Sequence, residues 1–233
     1  MNIKHLKLHH YPATRSTRVK WMLHEVVGDE FEVERVELYD GVQYSAEFLR
    51  LNPNHSVPVL EVTWEDGKIQ HMLESAAMVC FLADAYPDKG LAPPPDASFE
   101  RADYLQMLHF GSTWMDMMLW QIRIHEHVLP KAELDPRTVA RYRMKFAKEV
   151  EPQLAERLGA GPYICGEVFT AADCVVGHSV SWARAYGLCQ DDLFQRYLST
   201  LSKRPACASA FADARQFSLE PPQDAPVKAL FTG

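Results

Sequence analysis

Apolar and polar positions alternate from Ile3 to Leu8 and again from Phe31 to Val36, the period-two signature of strands. Between them Val19, Met22, Leu23 and Val26 recur at helical spacing up to Gly28, where a glycine suits a helix end. Tyr44 to Leu51 reads as a short helix. Val59, Leu60 and Val62, then Ile69 to Met72, form two more strands around an Asp66-Gly67 turn, which predicts a hairpin. A helix begins near Glu74-Ser75, carries Ala77, Met78, Cys80, Phe81, Leu82 and Ala85, and stops before Pro87. Residues 1–86 thus read βαβαββα, and a parallel βαβ opening is right-handed.

Pro87, Gly90, Pro93, Pro94 and Pro95 mark 87–97 as a linker. The pattern then becomes helical throughout. Ser98 to about His127 predicts one long helix whose broad apolar face implies packing on two sides. Pro136 opens a helix running to about Leu158, stopped by Gly159-Ala160-Gly161-Pro162. Thr170 to Asp173 has capping-box spacing, with Phe169 and Cys174 placed as a hydrophobic staple, and heads a helix that ends between Trp182 and Gly187. Asp191 to Leu201 and a segment opened by Arg204-Pro205 complete a helical domain over 98–220. Residues 221–233, with Pro221, Pro222 and Pro226, read as a tail over the surface. The fold class expected is therefore α/β plus all-α.

The chain has 233 residues, 47% of them hydrophobic, enough for a sizeable core. A net charge of −7 argues against nucleic acid as the main partner, because phosphate binding needs a basic face. The basic run Arg137 to Lys148 alternates with apolar residues and reads as a solvated helix side. No stretch approaches the roughly 18 apolar residues of a membrane span, and no apolar segment follows a basic start, so a cytoplasmic protein with no membrane partner is expected. Cys80, Cys165, Cys174, Cys189 and Cys207 form an odd set without a CxxC pair, which fits reduced thiols. His125-Glu126-His127 is not a zinc-binding HExxH, and no metal site is expected.

Three stretches carry candidate chemistry. Ser75 at a helix N-terminus offers its hydroxyl and unpaired backbone N–H groups to a carboxylate, and Glu74 beside it offers a carboxylate to an ammonium. The pair suits an amino-acid head group, although Ser75 also reads as an ordinary cap. Thr14 and Ser16, in the loop after the first strand, are hydroxyls that also suit plain turn or cap positions. Ser56-Val57-Pro58 opens the third strand.

Asn52-Pro53-Asn54-His55-Ser56-Val57-Pro58, the hairpin, and Glu74-Ser75 opening a helix together resemble the glutathione-binding half of the cytosolic glutathione S-transferases. The resemblance implies a thioredoxin-like domain over 1–86 followed by a helical bundle, and a cis bond before Pro58. It implies glutathione as a substrate, held by Tyr11, His55, Val57, Pro58, Glu74 and Ser75, with the Val57 backbone against the cysteinyl part and His55 on the glycyl carboxylate. His55-Ser56-Val57-Pro58 is most similar to the delta and theta branches. Tyr11-Pro12-Ala13-Thr14 resembles the His-Pro-Ala-Ser run of the phi branch, and Thr14 lies four residues before Arg18, the delta spacing of a catalytic serine. Thr14 is thereby the candidate that activates the thiol, with Ser16 as competitor and threonine in place of serine as the departure. The resemblance further implies a small hydrophobic electrophile against Met107, Phe110, Trp114 and Met115, a homodimer, and a detoxifying transferase. A transferase-like binding protein with little or no catalysis is the alternative. A thiol–disulfide reductase is disfavoured by the absence of a cysteine in the first loop.

Overall fold

The computed structural model describes residues 2–220, so the expected tail at 221–233 lies outside the described residues. Four strands form one sheet in the order β2-β1-β3-β4. They are β1 (Ile3–His10), β2 (Glu32–Arg35), β3 (Val59–Trp64) and β4 (Ile69–Met72). β1 and β2 run parallel with His10 opposite Arg35. β3 runs antiparallel to β1, placing Val59 opposite His9, and β4 runs antiparallel to β3, placing Met72 opposite Leu60. This register brings the ends of β1, β2 and β4 and the start of β3 to one edge of the sheet. The loops after β1, before β3 and after β4 therefore emerge together.

Helix α1 (Ser16–Val27) returns along the sheet and ends at Gly28, whose φ of 65° is the left-handed region that a glycine enters without a Cβ clash. α2 (Ala46–Leu51) is capped by Ser45, whose hydroxyl accepts from the N–H of Phe48. α3 (Ser75–Ala85) follows β4. Leu8, Val19, Met22, Leu23, Leu60, Val62, Met78 and Leu82 are fully buried, the residues that the alternating and helical patterns pointed inward. β1 runs two residues beyond the predicted Leu8, and α1 begins at Ser16, ahead of the helical spacing that starts at Val19.

The chain divides into two compact units, residues 2–82 with 206–220, and Ala83–Pro205. Residues 206–220 thus differ from their expected place in the helical domain. Asp213 explains this locally, since its carboxylate accepts from Lys20 of α1 at 2.6 Å and lies 3.0 Å from His10 of β1. Phe211 packs edge-on against Trp21, and Phe217 against Tyr11.

In the second unit the predicted long helix is resolved as α4 (Phe99–His109) and α5 (Asp116–Arg123), with π-turns at Phe110–Met115 and Ile124–Val128. Gly111 sits in the first π-turn, where a Cβ would come within 3.0 Å of the Val176 side chain. The second predicted helix is two, α6 (Pro136–Glu149) and α7 (Glu151–Ala160). The break falls at Val150 because Pro152 has no N–H for a continuous ladder and is tolerated in a first turn. α8 (Ala171–Ala185) carries the expected capping box of Thr170 and Asp173. Asp173 also accepts from the N–H of Ile164 at 2.8 Å and the hydroxyl of Tyr197 at 2.8 Å. α9 (Asp192–Ser202) completes this unit, and α10 (Pro205–Ala210) leads back to the first. Among the described residues no helix is long and apolar enough to cross a membrane.

Candidate functional site

The sheet edge described above gathers Tyr11 to Ser16, Asn52 to Pro58 and Glu74-Ser75 onto one unit. Its floor is an apolar cluster of Tyr11, Val36, Phe48, Val57 and Val59, with Leu73 and Phe217 packed against it. Tyr11 is buried, its ring edge-on to Tyr39 and Phe217 with the Arg35 guanidinium above it, and burial raises its phenol pKa. It belongs to the floor.

Asn52 builds the second loop. Its side-chain amide donates to the Ser56 carbonyl at 2.7 Å, and its side-chain oxygen accepts from the N–H of Asn54 at 2.9 Å. His55 is exposed, has a φ of 44° and stacks on Tyr44. The Val57–Pro58 bond is cis, as the resemblance implies. Among the described residues neither the N–H nor the C=O of Val57 has a partner within the protein, which leaves its backbone able to pair with a peptide-like ligand.

Glu74 is exposed, with a φ of 68° that is uncommon for a residue with a Cβ and is found where a site holds its backbone out of the relaxed regions. Ser75 is buried at the first turn of α3. Arg18, itself 1% exposed, donates from Nη1 to the Ser75 hydroxyl at 3.4 Å, leaving the Ser75 proton free to point at a ligand. The guanidinium adds positive charge to the partial charge of the helix end. Sequence reading did not single out Arg18 as a site residue, although a charge in the buried stripe Val19, Met22, Leu23 was its signal.

The first loop is a hydroxyl cluster. Thr14 is half-buried and Ser16 fully buried. Thr14 Oγ1 lies 2.8 Å from both the Tyr11 carbonyl and Ser16 Oγ. Ser16 Oγ accepts from the Tyr11 N–H at 3.1 Å and lies 2.7 Å from His10 Nδ1. On sequence Ser16 also suited a plain turn or cap position. Its hydroxyl instead turns back to Tyr11 and His10, and no side chain caps α1. His10 and Asp213 were not singled out either, because 203 positions separate them.

The candidates in the second unit divide. Met107 and Met115 are buried in its core, whereas Phe110 and Trp114 line an open groove of about 650 Å³ with His109, Lys148 and Glu149. The ammonium of Lys145 lies 4.8 Å from the Trp114 ring centre. Methionine packing thus reads as core, and the two aromatic rings as surface of the groove.

No cysteine offers a ready thiolate at these places. Cys174, Cys189 and Cys207 are buried, and burial pushes the Cys165 thiol up to about 12.

Residues 14–85 match the family model described as the glutathione S-transferase N-terminal domain. The chain is 26% identical over 214 residues to the disulfide-bond oxidoreductase YfcG of Escherichia coli, covering 90% of this chain and 96% of that one. A glutathione transferase from Burkholderia graminis, crystallised with two glutathione molecules per subunit, matches with a TM-score of 0.76 at 26% identity, covering 92% of this chain and 90% of that one. One from Pseudomonas putida, with one glutathione disulfide per subunit, matches with a TM-score of 0.76 at 25% identity over 89% and 91% of the two chains. Residues 14–85 thus carry the N-terminal domain of the glutathione S-transferases, and the solved structures similar to the whole chain are glutathione transferases.

Proposed function

We propose that the protein binds glutathione on its first unit and transfers the glutathione thiolate to small hydrophobic electrophiles. The observation that carries this reading is the convergence at one sheet edge of three complementary groups. The unpaired Val57 backbone suits the cysteinyl residue, and Ser75 at the α3 N-terminus with Glu74 suits the γ-glutamyl head group. Exposed His55 is within the same loop and suits the glycyl carboxylate. Thr14 is the hydroxyl with exposure left to meet the sulfur, since Ser16 is fully buried. A free thiol has a pKa of about 8.5 and is a few per cent thiolate at neutral pH, so one hydroxyl donor and a helix end act on the reactive species directly.

A second reading uses the same thiolate against a disulfide. The likeness to a disulfide-bond oxidoreductase, and to a transferase holding glutathione disulfide, favours it. With no cysteine in the first loop, the exchange runs between glutathione sulfurs: the thiolate attacks one disulfide sulfur and the other leaves as thiolate.

The working unit is a homodimer. Ile69 on β4 and Phe99 at the start of α4 are exposed apolar side chains of the kind a second copy covers. Calorimetric titration with glutathione, followed by turnover of a haloaromatic, an epoxide and a mixed disulfide, tests the reading. Absence of glutathione binding contradicts it, and binding without turnover leaves a glutathione-binding protein.

A further inference from the structure

Behind Thr14 runs a row of four polar groups drawn from both ends of the chain. Thr14 Oγ1 is 2.8 Å from Ser16 Oγ, Ser16 Oγ is 2.7 Å from His10 Nδ1, and His10 Nε2 is 3.0 Å from Asp213 Oδ2. Ser16 is 0% and His10 2% exposed, so the middle of the row is closed to solvent, while Thr14 and Asp213 at its two ends are part-exposed. Counting protons fixes its resting state. Burial lowers the His10 pKa to about 4, assisted by the charges of Lys20 and Arg35 and opposed by Asp213. A neutral His10 facing a carboxylate carries its proton on Nε2, so Nδ1 accepts from the Ser16 hydroxyl, whose other acceptor within reach is the Tyr11 carbonyl at 3.0 Å. Ser16 Oγ then accepts from the Tyr11 N–H, and the Thr14 proton also points inward, to the Tyr11 carbonyl or to Ser16. Thr14 thus meets the outside with an acceptor lone pair.

That arrangement is suited to receiving a thiol proton and unsuited to holding a thiolate until the protons shift. We propose that Thr14, Ser16, His10 and Asp213 form a proton relay that takes the proton from the bound thiol and turns the Thr14 hydroxyl outward as donor to the thiolate. The inference rests on the glutathione reading above. The S–H bond breaks as Thr14 takes the proton, Thr14 gives its own to Ser16, and Ser16 gives its own to His10 Nδ1. The hydroxyls are unchanged in number of protons, and the charge pair is a thiolate and an imidazolium braced by Asp213. After the thiolate attacks, the imidazolium returns the proton along the row to the leaving group or to water. The thiolate's charge and the Asp213 carboxylate favour the imidazolium. Lys20, 2.6 Å from the same Asp213 oxygen, opposes it. His10 and Asp213 are positioning residues, acting through the two hydroxyls.

Lys20 supplies the discriminating test. Glutathione affinity by calorimetry and the ultraviolet thiolate absorption of bound glutathione against pH are measured for the wild-type protein, Asp213→Asn and Lys20→Met. Asp213→Asn is expected to raise the bound thiol's pKa by about one unit, reducing thiolate roughly three- to eightfold at pH 7, with glutathione affinity held within about twofold. Lys20→Met is expected to lower that pKa, because it removes the cation that competes for Asp213. If Asp213 only anchors residues 206–220, the two variants shift together or not at all, which overturns the relay. An unchanged pKa in Asp213→Asn alongside a thiolate in the wild-type protein overturns the relay alone. A wild-type protein that binds no glutathione, or binds it without thiolate, overturns the relay and the proposed function together.

Discussion

Thr14 and Ser16 have hydroxyl oxygens 2.8 Å apart, yet Thr14 is half-buried and Ser16 fully buried. Their roles therefore differ. Thr14→Val keeps the shape and removes the donor, so glutathione should still bind while its thiol pKa rises by about one to two units. kcat/KM near pH 7 should fall roughly ten- to a hundredfold, and the pH–rate profile should move alkaline.

Ser16→Ala removes the acceptor of the Tyr11 N–H as well as the link between Thr14 and His10. A buried N–H left unpaired costs about 1–3 kcal/mol, so chemical denaturation should report lower stability together with lower thiolate content. Unchanged stability would mean that the Tyr11 N–H finds another acceptor.

Glu74→Ala should raise the glutathione Kd more than tenfold, since the ligand ammonium would lose a charge-assisted partner worth about 1.5–3 kcal/mol. Arg18→Met should weaken binding as well, by removing the donor that holds the Ser75 hydroxyl. Calorimetry separates these from thiol ionisation, which neither variant should move by much.

Acid should act on folding through two groups of opposite sign. His10 has a folded pKa of about 4, below the ordinary value of 6.5, so on acidification the unfolded chain takes up a proton that the folded one refuses. Its contribution of about 3 kcal/mol is present above pH 6.5 and lost as the pH falls toward 4. Asp173 runs the other way. Burial pushes its carboxyl up to about 6 against the hydrogen bonds from Ile164, Thr170 and Tyr197, so its share is present below pH 4 and lost as pH rises toward 6. In denaturation at pH 4, 5, 6 and 7, His10→Gln should therefore steepen the net loss of stability as pH rises from 4 to 6, by deleting the opposing slope.

Much of this was legible in the sequence because it is local. Strand alternation, helix spacing, Gly28, the Asp66-Gly67 turn and the Thr170–Asp173 box each depend on residues a few positions apart, and each lies where the pattern put it. Ser75 at a helix start came from the same local pattern, and the cis Pro58 was reached by a family resemblance carried on short motifs. The break at Val150 was misread because helical periodicity runs through it, while the effect of Pro152 on the ladder is a single missing N–H. Met107 and Met115 were drawn into a pocket because spacing cannot separate an adaptable lining from core. His10 and Asp213 could not be paired from sequence, since only the folded position of residues 206–220 brings them within 3.0 Å.

The most direct test of the central claim is the ultraviolet titration of glutathione bound to the wild-type protein, with Thr14→Val as reference. The account predicts a thiol pKa about one to two units below the free value of about 8.5, returning toward it in the variant without loss of binding. A bound thiol that titrates at the free value in the wild-type protein, or a depressed pKa that Thr14→Val leaves untouched, would contradict it.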